Sequence, residues 1–139
     1  MRTGSEITAS VKPMFDRYSD ALKVVGAGNT AGMVAMAAAL NTVAPDHAHT
    51  VILLKPTAII FAIGILVFAL AYLFLIYAYV YSEHYGSLID PNADKVPDTA
   101  VRSKEASMTF MKRAAVLGLA SAFCFFVGFI VAFTALVRY

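Results

Sequence analysis

Three residues invite a chemical reading first. Asp46, His47 and His49 stand together as D-H-A-H between two apolar stretches. A carboxylate and two imidazoles at such close quarters are ligand types for zinc or copper. The two histidines are only two positions apart and no further ligand stands nearby, so the donor set is incomplete. A metal is expected here only if a second copy of the chain completes the set, and an exposed turn explains the residues otherwise. A second acidic run, Asp90, Asn92, Asp94 and Asp98, resembles the opening of a calcium-binding loop. Such a loop also needs glycine at its sixth position and glutamate at its twelfth. Here those positions hold Lys95 and Val101, so a calcium sensor is rejected. The single cysteine, Cys124, lies inside an apolar run and reads as a small core residue. No nucleophile has a visible base, no phosphate loop is present, and no histidine lies inside an apolar run to ligate haem. No ionisable residue sits deep in such a run either, which argues against a proton relay or ion-coupled transport. These observations point to no catalytic residue, no cofactor and no enzyme activity.

What remains are small and polar residues within the apolar stretches. Gly28 and Gly32 form G-x-x-x-G, and Ala35 and Ala39 extend the same face. Further along, Gly118, Ser121, Gly128, Ala132 and Ala135 fall on or near one stripe. Small faces let helix backbones approach closely in lipid, where hydrophobic attraction between helices is absent. They serve equally for self-association and for packing within one chain. Thr30 and Asn41 lie eleven positions apart, close to three helical turns, and so share a face. They are candidates to line a narrow polar path in an oligomer. The alternative is interhelical hydrogen bonding in a dry seam, at roughly 1 kcal/mol each.

The elements that carry these residues follow from composition. The chain has 139 residues, 60% hydrophobic and 14% charged, with a mean hydropathy of +0.72. Soluble domains run nearer 45–50% apolar and about 25% charged. From Thr57 to Tyr81 no residue is charged, and the same holds from Ala114 to Val137. A bilayer core of roughly 30 Å needs about 20 such residues in a helix. The stretch 24–44 is also uncharged but poorer, rich in Ala and Gly, and reads as a third span. The fold expected is all-α integral membrane, three transmembrane helices in one membrane domain covering 1–139. Pro13 is expected to open the first helix, Pro45-Asp46 to end it, Pro56 to start the second, and Asp98 or Thr99 to cap the third. The stretch 86–97 is rich in turn residues and reads as a loop. The first span, gaining least from lipid, is expected to lie centrally, with the Phe-rich spans outside. On this basis leucine at Gly32 is expected to harm assembly more than leucine at Gly64, which stands among bulky Ile, Leu and Phe.

Orientation comes from the cations. Arg2, Lys12, Arg17 and Lys23 precede the first span, and Lys95, Arg102, Lys104, Lys112 and Arg113 lie between the second and third. The first connection has only Lys55 and the C-terminus only Arg138. The positive-inside rule then places residues 1–23 and 82–113, with short helical extensions, in the cytoplasm. Residues 1–20 carry charge and no apolar stretch follows Arg2, so insertion is expected to rest on the spans themselves. No basic cluster interleaved with aromatics appears, which speaks against nucleic acid.

The pair GAGNTAGMVAMAAAL and FAIGILVFALAYL resembles a loose group of uncharacterised small bacterial membrane proteins, with an Asn-Gly-Gly-Ala-like first span and an F-x-x-G second span. The matching residues are Asn29, Thr30, Ala31 and Gly32, then Phe61 and Gly64, with Thr30 in place of the usual glycine. The resemblance covers about half the chain, implies a bacterial inner membrane and supplies no activity. The partners expected are the lipid bilayer and either further copies of the chain or a larger membrane complex. The leading expectation is a non-enzymatic homo-oligomer, pore-forming in its sharpest version. The alternatives are an accessory subunit that stabilises a larger complex and a metal-handling protein that uses the D-H-A-H turn.

Overall fold

The computed structural model describes residues 4–42, 48–90, 93 and 95–137. Three α-helices account for nearly all of them: α1 (Gly4–Thr42), α2 (Ala48–Leu88) and α3 (Asp98–Val137), of 39, 41 and 40 residues. Each is long and apolar enough to cross a membrane, and no strand occurs among the described residues. The chain is an all-α, three-span membrane protein. At 1.5 Å per residue each helix measures about 60 Å, twice the hydrocarbon core, so all three continue beyond their apolar segments.

The helix starts expected at the two prolines are corrected. Pro13 and Pro56 both lie inside helices, ten and nine residues in. A proline there lacks the N–H that would reach the carbonyl four residues back. For Pro13 that carbonyl belongs to Ala9, an exposed residue that water or headgroups can serve. Beside Pro56, the buried Thr57 hydroxyl donates to the Leu53 carbonyl at 2.7 Å. The carbonyl that Pro56 itself strands is that of Ile52, an exposed residue one position earlier. The loop expected over 86–97 is shorter than foreseen, since α2 runs on through Gly86 to Leu88. α3 begins at Asp98 as foreseen. The Pro97 carbonyl accepts from the N–H groups of Ala100 and Val101 at 2.9 and 3.2 Å, and Asp98 places a negative charge in the first turn, where the helix dipole favours it.

The described residues form two compact units, and each helix contributes a segment to both. The first unit comprises Met1–Ala21 and Leu70–Val116. Its buried residues include Phe15, Ala71, Leu75, Ala78, Ala100 and Ala114. Phe15 meets Tyr79 edge-on at 5.4 Å. Phe110 stacks against Phe74, Tyr77 and Tyr81, at 5.9, 5.6 and 5.5 Å, three rings that follow one stripe of α2. The Ser107 hydroxyl donates to the Ala78 carbonyl at 2.8 Å.

The second unit comprises Leu22–Ala69 and Leu117–Tyr139. Met36, Leu54, Phe61, Ala132 and Ala135 make its apolar core, with Ala39, Leu53 and Phe125 against it. On α3 the buried positions Gly118, Ser121, Gly128, Ala132 and Ala135 are all small. They are spaced by two threes, a four and a seven, the pattern that keeps one seam of a helix against its neighbours.

Candidate functional site

The most specific arrangement in the second unit is a polar node with no exposure. Asn29 and Ser121 are both fully buried. The Asn29 Nδ2 donates to the Ser121 carbonyl at 3.2 Å, to Ser121 Oγ at 3.1 Å and to its own helix at Val25 O at 3.2 Å. The Ser121 hydroxyl in turn donates to the Gly64 carbonyl at 2.8 Å. One residue from each helix therefore meets at this point. Surrounding acceptors dictate the orientation of the amide: turning it over would aim Oδ1 at two carbonyl oxygens and lose those bonds.

The remaining atom, Asn29 Oδ1, is buried with no hydrogen-bond partner. It rests on Gly64, where a Cβ would lie 2.3 Å from Oδ1 and 2.6 Å from the amide carbon. Glycine offers a Cα–H in that direction, a weak donor of the kind common where helices touch closely. The arrangement can lock three helices in register. It contains no acid, base or nucleophile.

Other glycines receive rings. A Cβ on Gly32 would lie 2.5 Å from the Phe61 ring, and one on Gly128 would lie 2.8 Å from the same ring. A Cβ on Gly28 would lie 2.9 Å from the Phe125 ring, and one on Gly26 would lie 2.8 Å from the Phe68 ring. Of the packing residues read from the sequence, Gly28, Gly32 and Ala39 are half-buried and Gly118, Gly128 and Ala132 are buried, while Ala35 is exposed. Gly28 and Gly32 thus meet aromatic side chains of their own chain. The premise that Gly64 lies among bulky side chains is corrected by its contact with Asn29. Asn29, Gly32, Phe61 and Gly64, four of the residues that carry the resemblance noted above, are brought together here.

Thr30 and Asn41 share a face, as their spacing requires, and that face is exposed. A dry seam within one chain is therefore not where they lie. The Thr30 hydroxyl donates to the Gly26 carbonyl at 2.9 Å and is satisfied within its own helix. The same outward face carries Ala27, Ala31, Ala35 and Ala38, with Val24 and Val34 among them. The large apolar outward residues of α2 in this unit are Ile52, Ile59, Ile63 and Leu66, and those of α3 are Leu119, Phe123, Phe126, Phe129, Ile130, Phe133 and Val137. The first span is also no better covered than the others. Its most apolar window is 17% buried with hydropathy 1.2, against 22% for both other spans, at 3.0 and 2.5.

Asp46 and His47 lie outside the described residues, and His49 lies in the first turn of α2, with its side chain also outside them. Among the described residues no group of three metal-ligating side chains occurs. The pairing of Asn29 with Ser121 is missing from the sequence reading, though a signal exists. Leu22, Gly26, Asn29 and Met36 fall on one stripe of α1, which places Asn29 inward on the same side as a leucine and a methionine. Comparison with protein-family models, with curated proteins and with solved structures found no match.

Proposed function

We propose that this chain works as a non-enzymatic homo-oligomer of a bacterial inner membrane, with its N-terminus in the cytoplasm and the outward face of α1 as the interface between copies. One observation carries the reading: the least apolar span is no better buried than the other two, and its exposed face is built largely from Ala27, Ala31, Ala35, Ala38, Thr30 and Asn41, with Val24 and Val34 as the large side chains among them. Translocon scales reward Leu, Ile, Phe and Val by only a few tenths of a kcal/mol each, and alanine gains less, so lipid holds such a face weakly. Small residues at four-residue spacing suit close approach of a second helix. The bulky outward faces of α2 and α3 suit acyl chains. In a ring of copies the same face of α1 turns to the axis and Asn41 lines it, the pore-forming version of the reading. The cytoplasmic N-terminus rests on the distribution of Lys and Arg, and the bacterial membrane on the resemblance.

The test is the intact mass of the complex released from its native membrane, together with disulfide trapping of Ala31→Cys in a Cys124→Ser background. Multiples of one chain mass, and a crosslinked dimer through position 31, are expected. Masses of unrelated chains would replace the reading with that of an accessory subunit, and a monomer in bilayers would defeat both.

A further inference from the structure

The first unit holds a groove of about 490 Å³. Phe15, Met14, Met108 and Met111 give it an apolar floor, and Lys104 and Lys112 stand on its α3 wall. Eight residues separate the two lysines, about 12 Å along the helix axis. The Lys104 ammonium lies 5.9 Å from the centre of the Tyr85 ring, which also lines the groove. No carboxylate lines the groove, and neither lysine enters an ion pair among the described residues. A second groove of the same unit, of about 320 Å³, differs on this point, because Lys12 there is accompanied by Asp16.

The first groove also has a defined depth. Lys112 stands just before the uncharged segment that opens at Ala114, and Ser82 and Tyr85 stand just after the one that closes at Tyr81. Its Lys112 end therefore lies at headgroup level, and the groove runs on from there towards Lys104, away from the uncharged segments. We infer that this groove binds an anionic phospholipid, its phosphate on Lys112 and Lys104 and an acyl chain on the methionine-lined floor. Methionine side chains adapt to a flexible chain, and basic pockets between membrane helices suit acidic headgroups. A free phosphate would use the lysines and leave the apolar floor bare. The site belongs to a single chain and does not depend on oligomerisation.

Native mass spectrometry of the full chain in mild detergent, titrated with phosphatidylglycerol or phosphatidylcholine, tests this. Phosphatidylglycerol is expected to stay bound where phosphatidylcholine leaves. Lys104→Ala and Lys112→Ala should each weaken retention about fivefold, the scale for one lysine at an anionic surface, and Lys104→Arg with Lys112→Arg should keep it. Lys12→Ala with Lys95→Ala removes the same charge elsewhere and should change nothing. Equal retention of the two lipids overturns the site, as does an equal loss in the Lys12/Lys95 variant. Displacement by millimolar inorganic phosphate would also overturn it, in favour of a free anion.

Discussion

In the unit of Leu22–Ala69 and Leu117–Tyr139, helices meet where side chains are missing. Gly64 admits an asparagine amide, Gly32 and Gly128 admit one phenylalanine ring, and the buried face of α3 is glycine, serine and alanine. In the unit of Met1–Ala21 and Leu70–Val116 the buried α3 positions Ala100, Ser103 and Ala114 are small as well, but rings bridge the helices alongside them: Phe15 meets Tyr79, and Phe110 meets three rings of α2, where the other unit has Phe61 against Phe125. The difference follows the solvent. The second unit carries most of the three uncharged segments, and in lipid an apolar side chain gains nothing by turning inward, so contact relies on close packing and hydrogen bonds. The first unit carries Lys104, Glu105, Lys112 and Arg113, residues that imply water nearby, so burial of the Phe15 and Phe110 rings, which lie outside the uncharged segments, is itself favourable. One device appears in both units. A serine of α3 donates to a carbonyl of α2 at 2.8 Å, Ser107 to Ala78 and Ser121 to Gly64. The two serines stand fourteen positions apart, two heptads of α3.

Substitutions can break this contrast in order of size. Gly64→Ala should be the most damaging, because the new methyl meets an amide held by three hydrogen bonds. A loss of about 2–3 kcal/mol in reversible unfolding from mixed micelles is expected, from overpacking plus disrupted bonds. Gly32→Ala meets a ring that makes no hydrogen bond, and should cost less, about 1 kcal/mol. Equal losses for the two would erase the distinction between a locked and a yielding neighbour. Phe110→Ala in the first unit should cost about 1–2 kcal/mol through its lost ring pairs. Amide hydrogen exchange should rise mainly within residues 70–116, and uniform deprotection of all three helices would mean that the two units do not respond separately. Ser121→Ala should cost about 1 kcal/mol and Ser107→Ala about half that, within the range of interhelical hydrogen bonds in membranes. The larger value belongs to Ser121, which also accepts from Asn29. Should Ser107→Ala prove the costlier of the two, the node at Asn29 is not the stronger lock.

The three long apolar helices were legible because uncharged runs such as 57–81 and 114–137 leave few alternatives. The small stripe on α3 was legible for the same reason, since Gly118, Gly128 and Ala132 repeat at helical spacing and are buried. Pro13 and Pro56 misled, because proline marks a helix start only where the carbonyl it strands cannot be served otherwise, and the carbonyls stranded here belong to Ala9 and Ile52, both exposed residues. Gly64 misled through its sequence neighbours. Ile63 and Leu66 beside it point outward, while Gly64 itself points at Asn29 on another helix. Linear context reports what lies next to a residue along the chain, whereas fit depends on what arrives from elsewhere.

Phe61 illustrates what such fit implies for the chain's freedom to change. Its ring occupies the space that side chains at both Gly32 and Gly128 would need, on two different helices. The three positions form a closed set: neither glycine can gain a methyl while the ring stays where it is, and a smaller residue at 61 would relax both at once. Substitution histories at 32, 61 and 128 should therefore be correlated, with 61 changing first and the glycines following. Pairing Phe61→Leu with Gly32→Ala or Gly128→Ala would show this in the laboratory as a double variant less damaged than the two single changes combined.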